Sequence, residues 1–250
     1  MSRVEVDPRA VHARRIFYKV GRVYAIASSK GGVGKTTLAC LLSLLLARRG
    51  LRVGLLDLDF TNASTHLVLG VDAERAGVEE GEGVKPLEVA GLKLATPVLF
   101  TRGRPFALRG NSATDAMLEL IISHEWGALD AMVLDLPPGA KDELLEAISL
   151  GAKPLVVTTQ DYLSVSSVRR LLQLLKEEKV AWAGVLENMA HSGEPALLEE
   201  AASLGFTHLG LIPYDEELRG SVGSPEKLLS TRAALALEKL AAKILGVPRV

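Results

Sequence analysis

Two lysines, Lys30 and Lys35, bracket a glycine-rich run in Ser29-Lys30-Gly31-Gly32-Val33-Gly34-Lys35-Thr36-Thr37. Types and order match a phosphate-binding loop of the form G-x-x-x-x-G-K-[ST], with serine in the first place. Gly31, Gly32 and Gly34 lack the Cβ that would stand between backbone and phosphate oxygen. The amides of this run, Val33 included, can therefore turn inward. A helix starting at Lys35 adds its own N-terminal amides to the anion site. Lys35 would reach the β- and γ-phosphates, the Thr36 hydroxyl would ligate Mg²⁺, and Thr37 would add a phosphate contact one residue on. One lysine is enough for that chemistry. Lys30 is a second cation that the loop pattern leaves unexplained.

Carboxylates supply the rest of the metal chemistry. The apolar run "VLDLPPG" carries Asp135 to the end of a strand, where it would hold Mg²⁺ through a water. Pro137, Pro138 and Gly139 follow as a stiff turn able to sense a γ-phosphate. In "DLDFTNAS", Asp57 and Asp59 stand two apart and would point to one face of an extended chain. Asp59, at the strand's end, is the better candidate for positioning an attacking water and helping to hold the metal. Asp57 could share that task or simply accept hydrogen bonds from loop amides.

Such residues need strands that end together. Apolar runs suited to strands occur at 22–28, 52–58, 92–99, 129–136, 154–159, 181–187 and 208–212. Helical patterns fall between them at 35–48, 113–124, 141–150, 164–178, 195–204 and 226–245. This alternation predicts an α/β fold: a doubly wound, mainly parallel sheet of about seven or eight strands flanked by helices. Its open C-terminal edge is where such sheets bind ligands. The whole chain, 1–250, reads as one domain, with 1–20 as an N-terminal extension and the Gly- and Glu-rich stretch 71–91 as a mobile excursion.

Composition narrows the function. Aromatics are only 4%, so Val, Leu, Ile and Ala must fill the core, as in a buried parallel sheet. A net charge of −1 gives no global field favouring nucleic acid or anionic lipid. The basic spots Arg14, Arg15, Lys19, Arg22 and Arg102, Arg104, Arg109 read as solvated surface. Cys40 is the only cysteine, which excludes an intrachain disulfide or a CxxC metal site, and its apolar neighbours make it a core residue. Without a long apolar run or a signal-peptide core, the protein is expected in the cytoplasm.

The combined motifs resemble a known family. "SKGGVGKTT" is similar to the deviant Walker A loop of the MinD/ParA superfamily of P-loop ATPases. "RG" at 109–110, "WGALDAMVLDLPPGAKD", "LVVTTQD", "GVLENMA" and "LGLIPYDEELR" narrow the resemblance to the Mrp (ApbC) type over about residues 20–245. The resemblance implies a P-loop NTPase fold, ATP/ADP and Mg²⁺ as ligands, and a nucleotide-linked homodimer. It also gives Lys30 a task, reaching across the dimer to the partner's phosphates; neutralising its own loop's ligand is the plainer alternative. It places Asn188 and the turn from Pro213 to Asp215 beside adenine, with a strand-capping role as the alternative for Asn188.

Two departures stand out. Many Mrp relatives carry a CxxC after "ENM" that holds a bridging iron–sulfur cluster, and here the chain reads "ENMAHSGEPALL". No cluster is therefore expected on this chain, and a role in cluster assembly would need a protein partner carrying the cysteines. "PPGAKD" also replaces the relatives' "PPGTGD", which bears on hydrolysis rate rather than binding. The leading expectation is an Mg²⁺-ATPase switch of Mrp type, and the alternative is a MinD/ParA-like positioning switch acting on protein or DNA. Nucleic acid is disfavoured by charge. Membrane binding is disfavoured by the pattern Leu237, Leu240, Ile244, Leu245, which suits a core-docking helix.

Overall fold

The computed structural model describes residues 7–81, 83–101 and 113–246. The strands are β1 (Val23–Ala27), β2 (Val53–Asp57), β3 (Glu79–Glu80), β4 (Val84–Lys85), β5 (Leu87–Val89), β6 (Leu92–Ala95), β7 (Ala131–Asp135), β8 (Lys153–Thr158), β9 (Gly184–Ala190) and β10 (Thr207–Pro213). The first helices are α1 (Pro8–Val20), α2 (Lys35–Arg48), α3 (Thr65–Val68), α4 (Ala73–Ala76), α5 (Val98–Thr101) and α6 (Ala113–Ser123). Then come α7 (Lys141–Leu150), α8 (Tyr162–Glu177), α9 (Leu198–Ser203), α10 (Glu216–Ser221), α11 (Pro225–Leu229) and α12 (Arg232–Leu245).

Eight strands form one sheet in the order β10-β9-β8-β1-β7-β2-β6-β5, parallel except for β5, which runs antiparallel to β6. The expected doubly wound α/β sheet is what the chain builds. Its central strands are buried on both faces, which is why their sequences read as unbroken apolar runs. Alternation sorts their side chains: Val23, Ala25 and Ala27 enter one core cluster, Tyr24 and Ile26 the other. α2 fills the second face, buried from Leu38 to Leu46, with α12 beyond it; the Tyr24 hydroxyl donates to the Ile244 carbonyl there. Cys40 sits fully buried in that layer, and burial raises its thiol well above its ordinary range. It is core, as expected.

Several boundaries move for physical reasons. The strand read as 92–99 stops at Ala95, because Pro97 has no N–H for the ladder. The strand read as 181–187 lies later, at Gly184–Ala190. The helix read as 226–245 breaks in two, since the Thr231 side chain caps a new helix by accepting from Ala234 N–H at 3.2 Å. The N-terminal extension is not featureless: Asp7 caps α1, Pro8 opens it, and Gly21 at φ 77° closes it. Ala13, Phe17 and Val20 then bury against α6 and α7, about 1.5–3 kcal/mol for each large side chain. The stretch 71–91 holds α4, the β3–β4 hairpin and β5. Arg102, Arg104 and the Arg109-Gly110 pair lie outside the described residues.

Candidate functional site

Strand order explains where the chemistry gathers. β1 lies between β7 and β8, and Ile26 pairs in register with Asp135, so the loop after β1 opens beside the end of β7. On the other side of β7, Asp57 pairs with Asp135. The sheet thus delivers the glycine loop and two carboxylates to one edge.

The loop turns at Gly32 (φ 80°) and Gly34 (φ 81°). A Cβ at Gly34 would collide with the Asn188 amide, whereas Gly31 and Gly32 face open space. That open, amide-lined turn at the start of α2 is a cradle that a side chain would fill. The Val33 side chain is 3% exposed and belongs to the core, so only its backbone is available to a ligand. Thr36 and Thr37 occupy the first turn of α2.

Lys35 is buried, and its Nζ donates to Asp135 Oδ1 at 2.6 Å. Asp135 is fully buried with its Oδ2 left without a hydrogen bond. Burial raises the Asp135 carboxyl; the Lys35 cation and the Thr36 hydroxyl pull it down, while the charge of Asp59 adds to the rise. Lys35, Thr36, Asp59 and Asp135 therefore share one electrostatic neighbourhood. An orphaned carboxylate oxygen near a hydroxyl and a second carboxylate is a hard-oxygen set that fits Mg²⁺. Among the described residues no three His, Cys, Asp or Glu side chains are arranged to hold a metal unaided. A magnesium ion here would draw its remaining ligands from phosphate and water.

The two neighbouring aspartates have different surroundings. Asp57, fully buried, accepts from the amides of Asp59, Ser64 and Thr65 and from the Thr65 hydroxyl at 2.8–3.1 Å. Burial and the adjacent Asp135 charge push its carboxyl upward. It organises the loop that returns to the sheet edge. Asp59 Oδ1 accepts from Thr61 N–H, the Thr61 hydroxyl and Asn62 N–H, and these fix the side chain at the loop's start.

Lys30 contacts its own chain. Its Nζ lies 3.1 Å from Ser164 Oγ and 3.3 Å from Asp161 Oδ1, at the N-terminus of α8. Asp161 also caps that helix and accepts from the Thr159 hydroxyl, contacts that hold its carboxyl well below the usual carboxylate range. The turn after β7 is pinned to the loop by Gly139 N–H donating to Ser28 O at 2.8 Å.

Two residues expected on the base side make hydrogen bonds within their own chain. Asn188 is buried, and one of its amide N–H groups donates to Val33 O at 2.8 Å, which holds the loop. Asp215 uses both carboxylate oxygens within the chain. Oδ1 caps α10 through Glu217 N–H and Oδ2 accepts from Ala233 N–H at 3.0 Å, tying α10 to α12. Pro213 ends β10, and the following Tyr214 stacks on His191 with ring centroids 4.8 Å apart.

Sequence reasoning missed the residues that act through this framework. Asp161, Ser164 and Thr159 gather at Lys30. Glu187, fully buried, accepts from Gln160 Nε2, Ala196 N–H, Leu197 N–H and His208 Nε2, all within 3.0 Å. The one available signal was "TTQD" preceding a helical pattern, which marks a capping aspartate.

Comparison with known proteins finds relatives of the whole fold. The family model described as ParA, NUBPL iron-transfer P-loop NTPase, matches residues 19–245. A protein of Aquifex aeolicus named iron–sulfur cluster carrier protein is 33% identical over 80% of this chain, which spans 59% of that relative's length. A Monosiga brevicollis homologue of the cytosolic Fe–S cluster assembly factor NUBP2 is 33% identical, covering 90% of this chain and 87% of its own. The nucleotide-binding protein of Archaeoglobus fulgidus, solved in complex with ADP, superposes with a TM-score of 0.69 at 26% identity, over 88% of this chain and 92% of that one. No helix among the described residues is long and apolar enough to cross a membrane.

Proposed function

The chain belongs to the NUBPL iron-transfer P-loop NTPase family of the ParA type, and from that premise we propose that it is an Mg²⁺-dependent ATP-binding and ATP-hydrolysing switch acting as one unit. The observation that carries the reading is the buried Lys35–Asp135 pair with the orphaned Asp135 Oδ2 beside the glycine cradle. In this reading the pair exchanges partners on binding. Lys35 turns from Asp135 to the β- and γ-phosphates, while the amides of Gly31 to Gly34 and the start of α2 take the other phosphate oxygens. Thr37 adds a contact beyond them. Thr36, Asp135 and Asp59 would hold the metal, whose charge would offset that of the phosphates. Asp59 also orients the attacking water. Asn188 and Pro213 bound the adenine side, and Asp215 acts there only by fixing the start of α10.

Lys30 completes the reading. In a nucleotide-linked homodimer it leaves Asp161 and Ser164 for the phosphates of the other chain, where a cation adds to transition-state stabilisation. The relatives' names suggest iron–sulfur cluster transfer as the switch's task. One cysteine per chain, buried in a helix, offers no ligand set for a cluster, so the thiolates come from a cysteine-bearing partner protein in the cytoplasm.

The test is ATP turnover and binding by wild type and Asp59→Ala. We expect the variant to bind Mg²⁺-ATP as well as wild type and to turn it over at least about tenfold more slowly. Equal turnover would remove Asp59 from the mechanism. Anaerobic reconstitution of the same samples should leave iron and sulfide far below cluster stoichiometry; about four irons per dimer would overturn the partner reading.

A further inference from the structure

A cavity of about 190 Å³ opens behind the glycine loop, between α7 and α8. Leu144 and Leu171, both buried, line it together with Ser29 and Ser167. Lys141 and Arg170, both exposed, complete the lining. Neither cation has an ion pair among the described residues, although Arg169, next along the helix, is paired with Glu200. Ala140, at the start of α7, gives no side-chain cap to the helix amides. Asp142 and Glu143 offset the dipole of that helix but do not line the cavity. Two unpaired cations and two hydroxyls beside two buried leucines favour a carboxylate on an aliphatic stem.

Size and surroundings decide the source of that carboxylate. The cavity is smaller than the roughly 300–1,000 Å³ that small-molecule sites occupy. On the same face of α8 as Ser167 and Arg170, at helical spacing, lies Leu163, 67% exposed, with Tyr162 beside it at 81%. An exposed apolar anchor beside a basic pocket suits a protein segment better than a free metabolite. We infer that this cavity is a docking pocket for an acidic side chain of a partner protein, with Leu163 as the flanking anchor. Ser29 and Gly139 both line it, and Gly139 N–H bonds Ser28 O, so an occupant touches the loop and the turn after β7 together. Docking itself does not depend on the nucleotide reading, and its test is run without nucleotide.

The experiment is fluorescence anisotropy of a labelled peptide of alternating glutamate and leucine, titrated with the full chain. The glutamine counterpart serves as the uncharged control. We expect wild type to bind the glutamate peptide, Arg170→Glu to weaken it by about tenfold or more, and Ser167→Leu, which fills the cavity without changing charge, by about fivefold. Lys239→Glu, the same charge change on exposed α12, should leave affinity within about twofold. The inference is overturned if Arg170→Glu and Ser167→Leu bind like wild type, or if Lys239→Glu loses as much. Displacement of the peptide by about 1 mM free glutamate or phosphate would assign the pocket to a small anion instead. A change of oligomeric state in Arg170→Glu on gel filtration would assign it to a second copy of this chain.

Discussion

Replacing Lys35 by methionine keeps the aliphatic stem and deletes the charge. The side chain is 7% exposed and its partner Asp135 1%, so solvent does little to screen the pair. Breaking a buried ion pair from one side costs about 3–5 kcal/mol, because the remaining charge is left without compensation. In a chain of this size that lowers Tm by about 6–20 °C. The sign of the pH dependence follows from Asp135. Burial already raises its carboxyl and Lys35 opposes that rise, so removing Lys35 raises it further. A raised folded-state carboxyl loses stability as pH rises above its unfolded value and regains it as pH falls. The variant's deficit should therefore shrink as pH falls towards the ordinary carboxylate range, because the folded chain takes up a proton at Asp135 before the unfolded chain does. Lys35→Met/Asp135→Asn removes the stranded charge and should recover at least about 1.5 kcal/mol of the loss. Urea unfolding of the nucleotide-free protein at neutral and at mildly acidic pH measures all of this. A single variant within about 1 kcal/mol of wild type, with an unchanged pH profile, would refute the buried-pair argument.

The glycines of the loop separate fold from ligand. Gly34→Ala places a Cβ against Asn188 at φ 81°, and should cost about 2–4 kcal/mol of stability even without nucleotide. Gly31→Ala meets open space, so thermal unfolding should match wild type while calorimetry finds ATP binding lost; the reverse pattern would remove the cradle. Glu187 provides an acid-side test. Burial opposes its ionisation, but His208, the amides of Ala196 and Leu197, and Gln160 hold its carboxyl below the ordinary value. Its contribution is therefore present above the unfolded value and lost as pH falls through the folded one. Glu187→Gln should be less stable near neutrality and should converge with wild type as pH falls below the ordinary carboxylate range. A constant gap across that range would exclude the linkage.

What the sequence made legible was contiguous or doubly buried. The loop could be read because its parts sit within nine residues, Ser29 to Thr37, and each type has its own reason. The central strands could be read because burial on both faces leaves no polar position to confuse the pattern. Asp57 and Asp59 could not be separated by spacing, since the difference lies in Ser64 and Thr65 returning to bond Asp57. The hydrogen-bond partner of Asp215, Ala233 N–H, is distant in sequence and invisible to local pattern, so its tie between α10 and α12 could not be read. The four donors around Glu187 come from three separate segments. α1 was obscured by the charges on its outer face, with only Ala13, Phe17 and Val20 fully buried.

That first helix has a mechanical consequence. It lies almost wholly before the matched residues 19–245, yet it is bolted to two family elements. Arg9 grips Asp115 and Glu119 on α6, and Arg14 donates to the Ser149 carbonyl at the far end of α7 at 2.7 Å. The other end of α7 is Lys141, directly after the turn that faces the glycine loop. Anchored at Ser149, α7 is a lever about 15 Å long with its fulcrum away from the loop. A swing of about 10° would carry Lys141 by roughly 2 Å while Ser149 stays in place. Any movement of the turn that faces the glycine loop would therefore pivot α7 about its distant end rather than shift it bodily.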